Sequence, residues 1–460
     1  MSTTTSLATR LTGATGSRHV VAAPEELVTY AVDGLSPAVI VRPESAAEVM
    51  EVVKFALAER LKVVPVGSRS KCEIGMGPTR YDIALDMTGL HEIAHYDAGD
   101  MTLSIDAGTP LRELEGFLRP HGQFLPLAVP CFESTTAGGT IASGIDSVLR
   151  QQYGTARDFL IGAEFVDGKG QLCKSGGRVV KNVTGYDLHK LLIGSLGTLG
   201  VITRVNFRTF PVSATSGGHV ATFKKSTAAV EYRKMLERAG VPLTNFEIVS
   251  PEVIKIMRSI LQQQVQGAIS ALSEDGLWYV YSSFEGTEKV VKRIAGELEK
   301  YARGAGSRNL QSLETGTDEL IGGMLREAFE WLRWAAQETV LYRLAICGDA
   351  ADIADQLTRA ARSIEIRSAS LVRSARIIYF AIFAESEAEI LEPAELIHAQ
   401  ALSIARELGG HVSLLHGPLK VKLRIAEEHL RGINQGLQQR VKKAFDPSDI
   451  FAPGRVVGGI

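Results

Sequence analysis

Between Gly194 and Thr203 the chain runs Gly-Ser-Leu-Gly-Thr-Leu-Gly-Val-Ile-Thr, three glycines at three-residue spacing that lead straight into a β-branched strand. A strand entered this way presents bare backbone. Glycine has no Cβ to hold main-chain N–H groups away from a phosphate or a flat ring, and it reaches φ > 0 at little steric cost. Alone, the same pattern is as readily a tight surface loop. Its neighbours decide between the two.

The first domain-sized pattern lies upstream. Ala38-Val-Ile-Val-Arg42 reads as a strand, followed by a helix and a second strand, Lys62–Val66, that ends in Gly67-Ser-Arg-Ser-Lys71. Ser45 and Glu48 have capping-box spacing, and Val49, Val52, Val53 and Ala56 fall on one helical face. Shorter strands at Ile83–Asp86 and Leu103–Asp106 follow, then a helix opened by Thr109-Pro110, read as a cap with proline in the first turn. From about Ser213 the texture shifts to longer strands (Asn245–Val249, Leu277–Tyr281, Arg376–Phe383) alternating with helical patterns at 224–239, 287–303 and 387–408. That half reads as a sheet with helices on one face. The chain thus divides into an extension (1–35), a mixed first domain (36–212), a second domain (213–440) and a tail (441–460) expected to pack back on the body.

Composition removes several function classes. Acidic and basic residues nearly cancel, 52 against 50 for a net charge of -2, so no cationic field invites nucleic acid or an anionic membrane. No apolar run approaches the roughly 20 residues of a membrane span, and Met1-Ser-Thr-Thr-Thr-Ser-Leu lacks the features of a signal peptide; a cytoplasmic location is expected. Cys72, Cys131, Cys173 and Cys347 form no C-x-x-C pair, so no zinc or iron–sulfur site is expected, and the thiols are expected reduced and buried. No Rossmann G-x-G-x-x-G, P-loop, H-E-x-x-H or G-x-S-x-G occurs in its required context.

What remains is a series of four polar, glycine-rich loops. Gly67–Lys71 offers main-chain donors, two hydroxyls and two cations after a buried strand, which suits a diphosphate. Ser134-Thr-Thr-Ala-Gly-Gly-Thr-Ile-Ala-Ser-Gly144 joins hydroxyls to a small-residue helix start. Tyr153-Gly154 with Arg157-Asp158 is the third, and the opening run is the fourth.

In that order the loops resemble the FAD-binding domain of the vanillyl-alcohol-oxidase-like (PCMH-type) flavoproteins, over residues 36–212. Within that superfamily, Val180-Lys-Asn-Val-Thr-Gly-Tyr-Asp-Leu-His-Lys-Leu, Trp331-Leu-Arg with Leu341-Tyr-Arg-Leu, Gly409-Gly-His-Val-Ser-Leu-Leu and Phe445-Asp-Pro to Pro453-Gly-Arg455 resemble the FAD-binding subunit of glycolate oxidase. The resemblance implies an α+β fold, with a two-subdomain PCMH-type FAD-binding domain and an α+β cap domain built on an antiparallel sheet. It implies that Gly67, Ser68, Arg69, Ser70 and Lys71, with Gly138, Gly139 and Thr140, hold the FAD diphosphate. Gly154 and the Gly200-Val201-Ile202 edge would lie along the adenosine and isoalloxazine, with Thr135, Gly144 and Tyr153 completing the contacts. Family members often carry glycine where this chain has Ser147. Relatives with covalent flavin use a histidine in the first loop or a cysteine near Arg150; neither is present, so FAD is expected to be non-covalent. The implied partners are a second FAD-linked subunit and an iron–sulfur subunit of a 2-hydroxy-acid dehydrogenase, through which membrane association would come.

Oxidising a 2-hydroxy acid requires a cation for the carboxylate, a base for the hydroxyl proton and a flavin face for the hydride. Catalytic relatives with a similar flavin domain carry H-x-G-D-G-N-x-H late in the chain. The nearest counterpart here, His411-Val-Ser-Leu-Leu-His416-Gly417-Pro418, lacks the acid and the asparagine. Five residues apart on a strand, the two histidines are expected on opposite faces, a structural pair. Substrate oxidation is therefore expected mainly on a partner. Three readings stay open: a redox subunit of such a complex; a self-sufficient FAD oxidase or dehydrogenase of a hydroxy acid or sugar alcohol, with Arg343, Arg373 and His416 serving the substrate; and a non-catalytic assembly subunit.

Overall fold

The computed structural model describes residues 3–15, 19–178, 185–261, 272–430 and 435–456. The Val180–Thr184 part of the glycolate-oxidase-like motif lies outside these. The chain forms two compact units: Met1–Asp146 with Thr155–Val212 and Ala426–Ile460, and Ser147–Gly154 with Ser213–Ile425. Ser147–Gly154, expected in the first domain, groups with the second unit, and the segment from Ala426, expected in the second, groups with the first.

The first unit holds two main sheets. One contains β1 (Val20–Val21), β2 (Val39–Val41), β3 (Val63–Val66) and β4 (Ile83–Asp86) in the order β1-β2-β4-β3, with β2, β4 and β3 parallel. The crossover from β2 to β3 is the helix Ala46–Glu59, capped by Ser45, whose side chain accepts the Glu48 N–H at 3.2 Å. Its buried face is Val49, Val52, Val53 and Ala56, packed on Val39, Val41, Val63 and Ile83. The second sheet is antiparallel: β5 (Ile93–Asp97), β6 (Thr102–Asp106), β8 (Leu160–Val166), β9 (Leu172–Gly176) and β10 (Val201–Arg208), in the order β5-β6-β10-β8-β9, while β7 (Gln123–Phe124) pairs separately with β11 (Phe210–Pro211). The helix after Thr109 begins at Leu111. Pro110 holds the cap position in extended conformation (ψ 139°) without a side-chain bond, so Thr109 does not cap it.

The C-terminal segment is woven into this unit. Val63 N–H donates to the Ile450 carbonyl and Ala452 N–H to the Val63 carbonyl. Buried Lys442 donates to Asp446 at 2.7 Å and to the carbonyls of Thr198 and Phe451 at 2.8 Å, joining the tail to the loop before β10. On β4, buried Asp86 accepts from Tyr30 Oη at 2.7 Å, Arg42 Nε at 2.8 Å and Thr88 Oγ1 at 2.7 Å. Burial alone would raise the Asp86 pKa, but hydrogen bonds from Thr88, Tyr30 and Arg42 outweigh it and hold the carboxyl below its ordinary value. A depressed carboxylate stabilises the fold above its unfolded-state pKa and loses that contribution as pH falls through the folded value. Asp86→Asn is accordingly expected to lower the melting temperature at neutral pH, with the gap to wild type closing on acidification.

The second unit is one eight-stranded antiparallel sheet. It comprises β12 (Thr215–Phe223), β13 (Asn245–Val249), β14 (Trp278–Gly286), β15 (Asn309–Leu313), β16 (Glu338–Ala345), β17 (Arg367–Arg373), β18 (Ile377–Ala384) and β19 (His411–His416), in the order β15-β12-β14-β13-β17-β18-β16-β19. Alternate residues such as Val280, Ile248, Phe380 and Tyr342 turn to a core shared with helices Ser226–Arg238, Glu288–Gly304, Ala350–Ser363 and Glu387–Glu407. The opposite face is polar at Glu247, Arg373 and Arg343. Among the described residues no helix is long and apolar enough to cross a membrane. The four cysteines are free, and they are not the buried set expected, since Cys347 is exposed and the other three are partly so.

Candidate functional site

The site grows out of the end of β3. Its buried valines anchor Gly67–Lys71, and among the described residues no hydrogen bond uses the N–H groups of Ser68, Arg69 or Ser70. Arg69 takes a left-handed conformation (φ 65°), the kind of turn in which successive backbone donors converge on an anion. Its guanidinium is engaged elsewhere, stacked 4.1 Å over the Tyr30 ring. Buried Lys71 reaches back to Thr135 Oγ1 at 2.6 Å and Ser70 Oγ at 3.3 Å.

The facing wall is the helix Ala137–Ser143, whose N-cap Thr136 accepts from Gly139 N–H at 3.2 Å. Here the glycines serve loop-on-loop packing as well as ligand approach. A Cβ on Gly67 would overlap Thr136 Oγ1, one on Gly138 would lie 2.6 Å from Ala107 Cβ, and one on Gly200 would lie 2.9 Å from the Val166 carbonyl. Each of the three glycines thus lies against a different neighbour, Thr136, Ala107 or Val166, at a distance that leaves no room for a Cβ.

Together these loops form a half-open cleft lined by Gly67–Cys72, Thr135, Thr136, Gly138, Gly139, Gly197, Gly200, Ile202 and, from the tail, Arg455. Of the residues expected to hold a cofactor, Gly67, Ser68, Arg69, Ser70, Lys71, Thr135, Gly138, Gly139, Gly200 and Ile202 come together here. Others do not line it. Thr140 is buried behind the wall, 3.5 Å from Thr135 Oγ1. Gly144 packs on Gly194, where a Cβ would lie 2.9 Å from its Cα. Val201 points into the core with Val166 and Phe451. Tyr153 and Gly154 belong to the second unit, where Tyr153 donates to Glu285. Burial and the Glu285 carboxylate push the Tyr153 phenol well above its ordinary pKa. Thr136 and Arg455, although they lie in the Ser134–Gly144 loop and the closing Pro453-Gly-Arg455 motif, are not among the residues expected to hold the cofactor.

The substrate candidates lie on the polar face of the second unit. Arg373 is 1% exposed and paired at 2.7 Å with Glu247, itself fully buried, while its second arm donates to the Leu325 carbonyl at 2.7 Å. Its charge is committed to the core, so it is withdrawn as a carboxylate anchor. Burial, opposed by Arg373, pushes the Glu247 carboxyl up to about 7. Arg343 sits on β16 opposite Ser413, with Ala345 opposite His411 and Leu341 opposite His416. The register shifts between Leu341 and Tyr342, so Leu415 is an extra residue on β19. That bulge corrects the expected opposition of the two histidines, because it returns His416 to the face that carries His411, Ser413 and Arg343. The His416 ring lies 6.0 Å from Trp334, and Ser413 Oγ is 3.1 Å from His411 Nδ1. Among the described residues no cluster of three or more His, Cys, Asp or Glu side chains is arranged for a metal ion.

Open backbone donors, hydroxyls, buried Lys71 and Arg455, and apolar Ile202, Val66 and Met87 fit a dinucleotide with a diphosphate and a flat ring. The two-sheet unit with this cleft is that of a flavin-nucleotide-binding protein. Family profiles agree: "FAD binding domain" matches residues 37–176, and "FAD linked oxidases, C-terminal domain" matches 218–456, more than half of the chain. The chain belongs to the FAD-linked oxidase family, with FAD as its cofactor.

Among relatives, it is 28% identical to a D-lactate dehydrogenase of Archaeoglobus fulgidus, over 91% of each chain. It is 22% identical to glycolate oxidase subunit GlcD of Bacillus subtilis, over 91% of this chain and 89% of that one. To glycolate oxidase subunit GlcE of Escherichia coli it is 36% identical over 163 residues, 35% of this chain and 46% of the other. The fold is also that of 4-ethylphenol oxidase from Gulosibacter chungangensis, with TM-score 0.78 at 14% identity over 99% and 98% of the chains.

Proposed function

We propose that the chain is an FAD-linked 2-hydroxy-acid dehydrogenase acting on glycolate- or D-lactate-type acids, as a subunit beside a second FAD-linked subunit and an iron–sulfur subunit. The cleft between Gly67–Lys71, Gly138–Gly139 and Gly200, with its unused N–H groups, carries this reading; the names of the relatives supply the substrate class. FAD would be held at that cleft and would supply the complex with two-electron redox chemistry. Ser68, Arg69 and Ser70 would bind it through their backbone N–H groups, with the glycines letting the loops pack closely around it.

A second reading, substrate oxidation by this chain alone, is favoured by the strip that the β19 bulge creates. There Arg343 would pair with the substrate carboxylate, and the His416 imidazole would take up the hydroxyl proton. Under anaerobic conditions, addition of D-lactate or glycolate to the purified chain is expected to bleach its flavin absorbance if the strip is catalytic. Arg343→Met should then raise KM by roughly 10- to 100-fold, the size of one charge-assisted contact. Bleaching only when the partner subunits are present would place oxidation on a partner.

A further inference from the structure

Arg455 is 4% exposed and lines the cofactor cleft. Its Nη1 donates to the Cys72 carbonyl at 2.6 Å and its Nη2 to the Ile74 carbonyl at 3.0 Å, the residues that follow the Gly67–Lys71 loop. The backbone beneath it is equally fixed. Arg455 N–H donates to the Ala452 carbonyl, Met76 N–H to the Arg455 carbonyl at 2.9 Å and Thr79 N–H to the Pro453 carbonyl at 2.8 Å.

What the fold leaves undone at Arg455 is its charge. Among the described residues it forms no ion pair, and its buried Nε meets no acceptor. Asp33 acts on it only from beyond ion-pair distance, and burial pushes its pKa down, although a guanidinium stays protonated in a protein. Carbonyl oxygens satisfy N–H groups but do not neutralise a cation. A buried cation with no counter-charge in contact is costly, and an anion bound in the cleft would offset that cost. In oxidised FAD the anionic part at neutral pH is the diphosphate, and the loop that Arg455 latches is the one whose open N–H groups suit a diphosphate.

We propose that Arg455 is a cofactor-binding residue: its charge stands against the FAD diphosphate while its two outer arms latch the Cys72–Ile74 carbonyls and so hold the diphosphate loop in shape. This rests on the FAD reading of the cleft. It also gives the C-terminal segment a part in cofactor retention, with Lys442 fixing the opposite wall through the Thr198 carbonyl.

The test compares Arg455→Met, which keeps the stem without charge or fork, with Arg455→Lys, which keeps the charge without the fork. Apoproteins are titrated with FAD and with riboflavin, which lacks phosphate, at low and high ionic strength, and their melting is recorded without ligand. Arg455→Met is expected to weaken FAD by roughly 50-fold, as for one charge-assisted contact. Riboflavin binding should stay within about threefold, and the salt dependence of FAD binding should flatten. Arg455→Lys should recover most of the FAD affinity and the salt slope. Wild-type FAD affinity in the Met variant, equal losses in Met and Lys, or equal losses of FAD and riboflavin would each overturn the proposal. If the Met variant does not fold, the Lys variant decides alone: a salt slope as steep as wild type supports the charge role and a flattened one refutes it. Wild-type apoprotein that takes up no FAD would instead refute the reading of the cleft.

Discussion

Gly67→Ala is expected to yield a folded protein that has lost most of its flavin. The backbone at Gly67 is not in the left-handed region, so alanine meets no conformational penalty there; the added methyl instead overlaps Thr136 Oγ1. Thr136 must rotate away, and the helix Ala137–Ser143 loses the side chain that caps Gly139. Overpacking and a lost cap together cost about 2–4 kcal/mol, concentrated at the wall facing the cofactor. Thr136→Ala alone should cost about 1 kcal/mol. In the double variant the remaining contact from residue 67 would be to the Thr136 Cβ position at 3.4 Å, ordinary packing distance. The double variant should therefore be more stable than Gly67→Ala by itself, a coupling that thermal melting and flavin occupancy measure together. Full flavin content in Gly67→Ala would show that the loops do not meet at this point.

Arg373→Met carries the second large effect. It leaves Glu247 fully buried without its partner, and breaking one side of such a pair costs about 3–5 kcal/mol. Replacing Glu247 as well, by Leu, should recover much of that loss, because well-packed apolar groups substitute for a buried pair at little net cost. The pH dependence has a definite sign. Glu247 has a folded-state pKa raised to about 7 against an ordinary 4.5, so across that window the folded protein holds a proton that the unfolded chain releases. Its contribution is therefore fully present below about 4.5 and declines as pH rises through about 7. Urea unfolding of wild type and Glu247→Gln at pH values on either side of the window is expected to show this slope in the first and not in the second.

Locally encoded features were legible in the chain. The Ser45–Glu48 cap, the valine face behind it, β4 and β13 follow from spacing that a helix or strand reads directly, and the glycine-rich loops mark three of the cleft's walls. Features decided by distant partners were not. Gly67 reads as a ligand-facing glycine, whereas its steric need comes from Thr136, which is remote in sequence. The Leu415 bulge exists because β19 must match β16, and no pattern within His411–His416 announces it. Arg373 looks like a free cation until Glu247, from another strand, is seen beside it. Thr109-Pro110 has the composition of a cap, but the extended backbone of Pro110 starts the helix one residue later.

The bond from Arg455 to the Cys72 carbonyl spans 383 residues. On a ribosome adding about 5–20 residues per second, the diphosphate loop would emerge roughly 20 to 80 seconds before the arginine that latches it. Through that interval the nascent first unit also lacks Ile450 and Phe451 against β3, so its parallel sheet has an open flank and its cleft an open side. If Arg455 holds the diphosphate as proposed, flavin affinity rises only once synthesis has passed residue 455, and ribosome-bound chains that end before it are expected to bind FAD more weakly than the full-length chain.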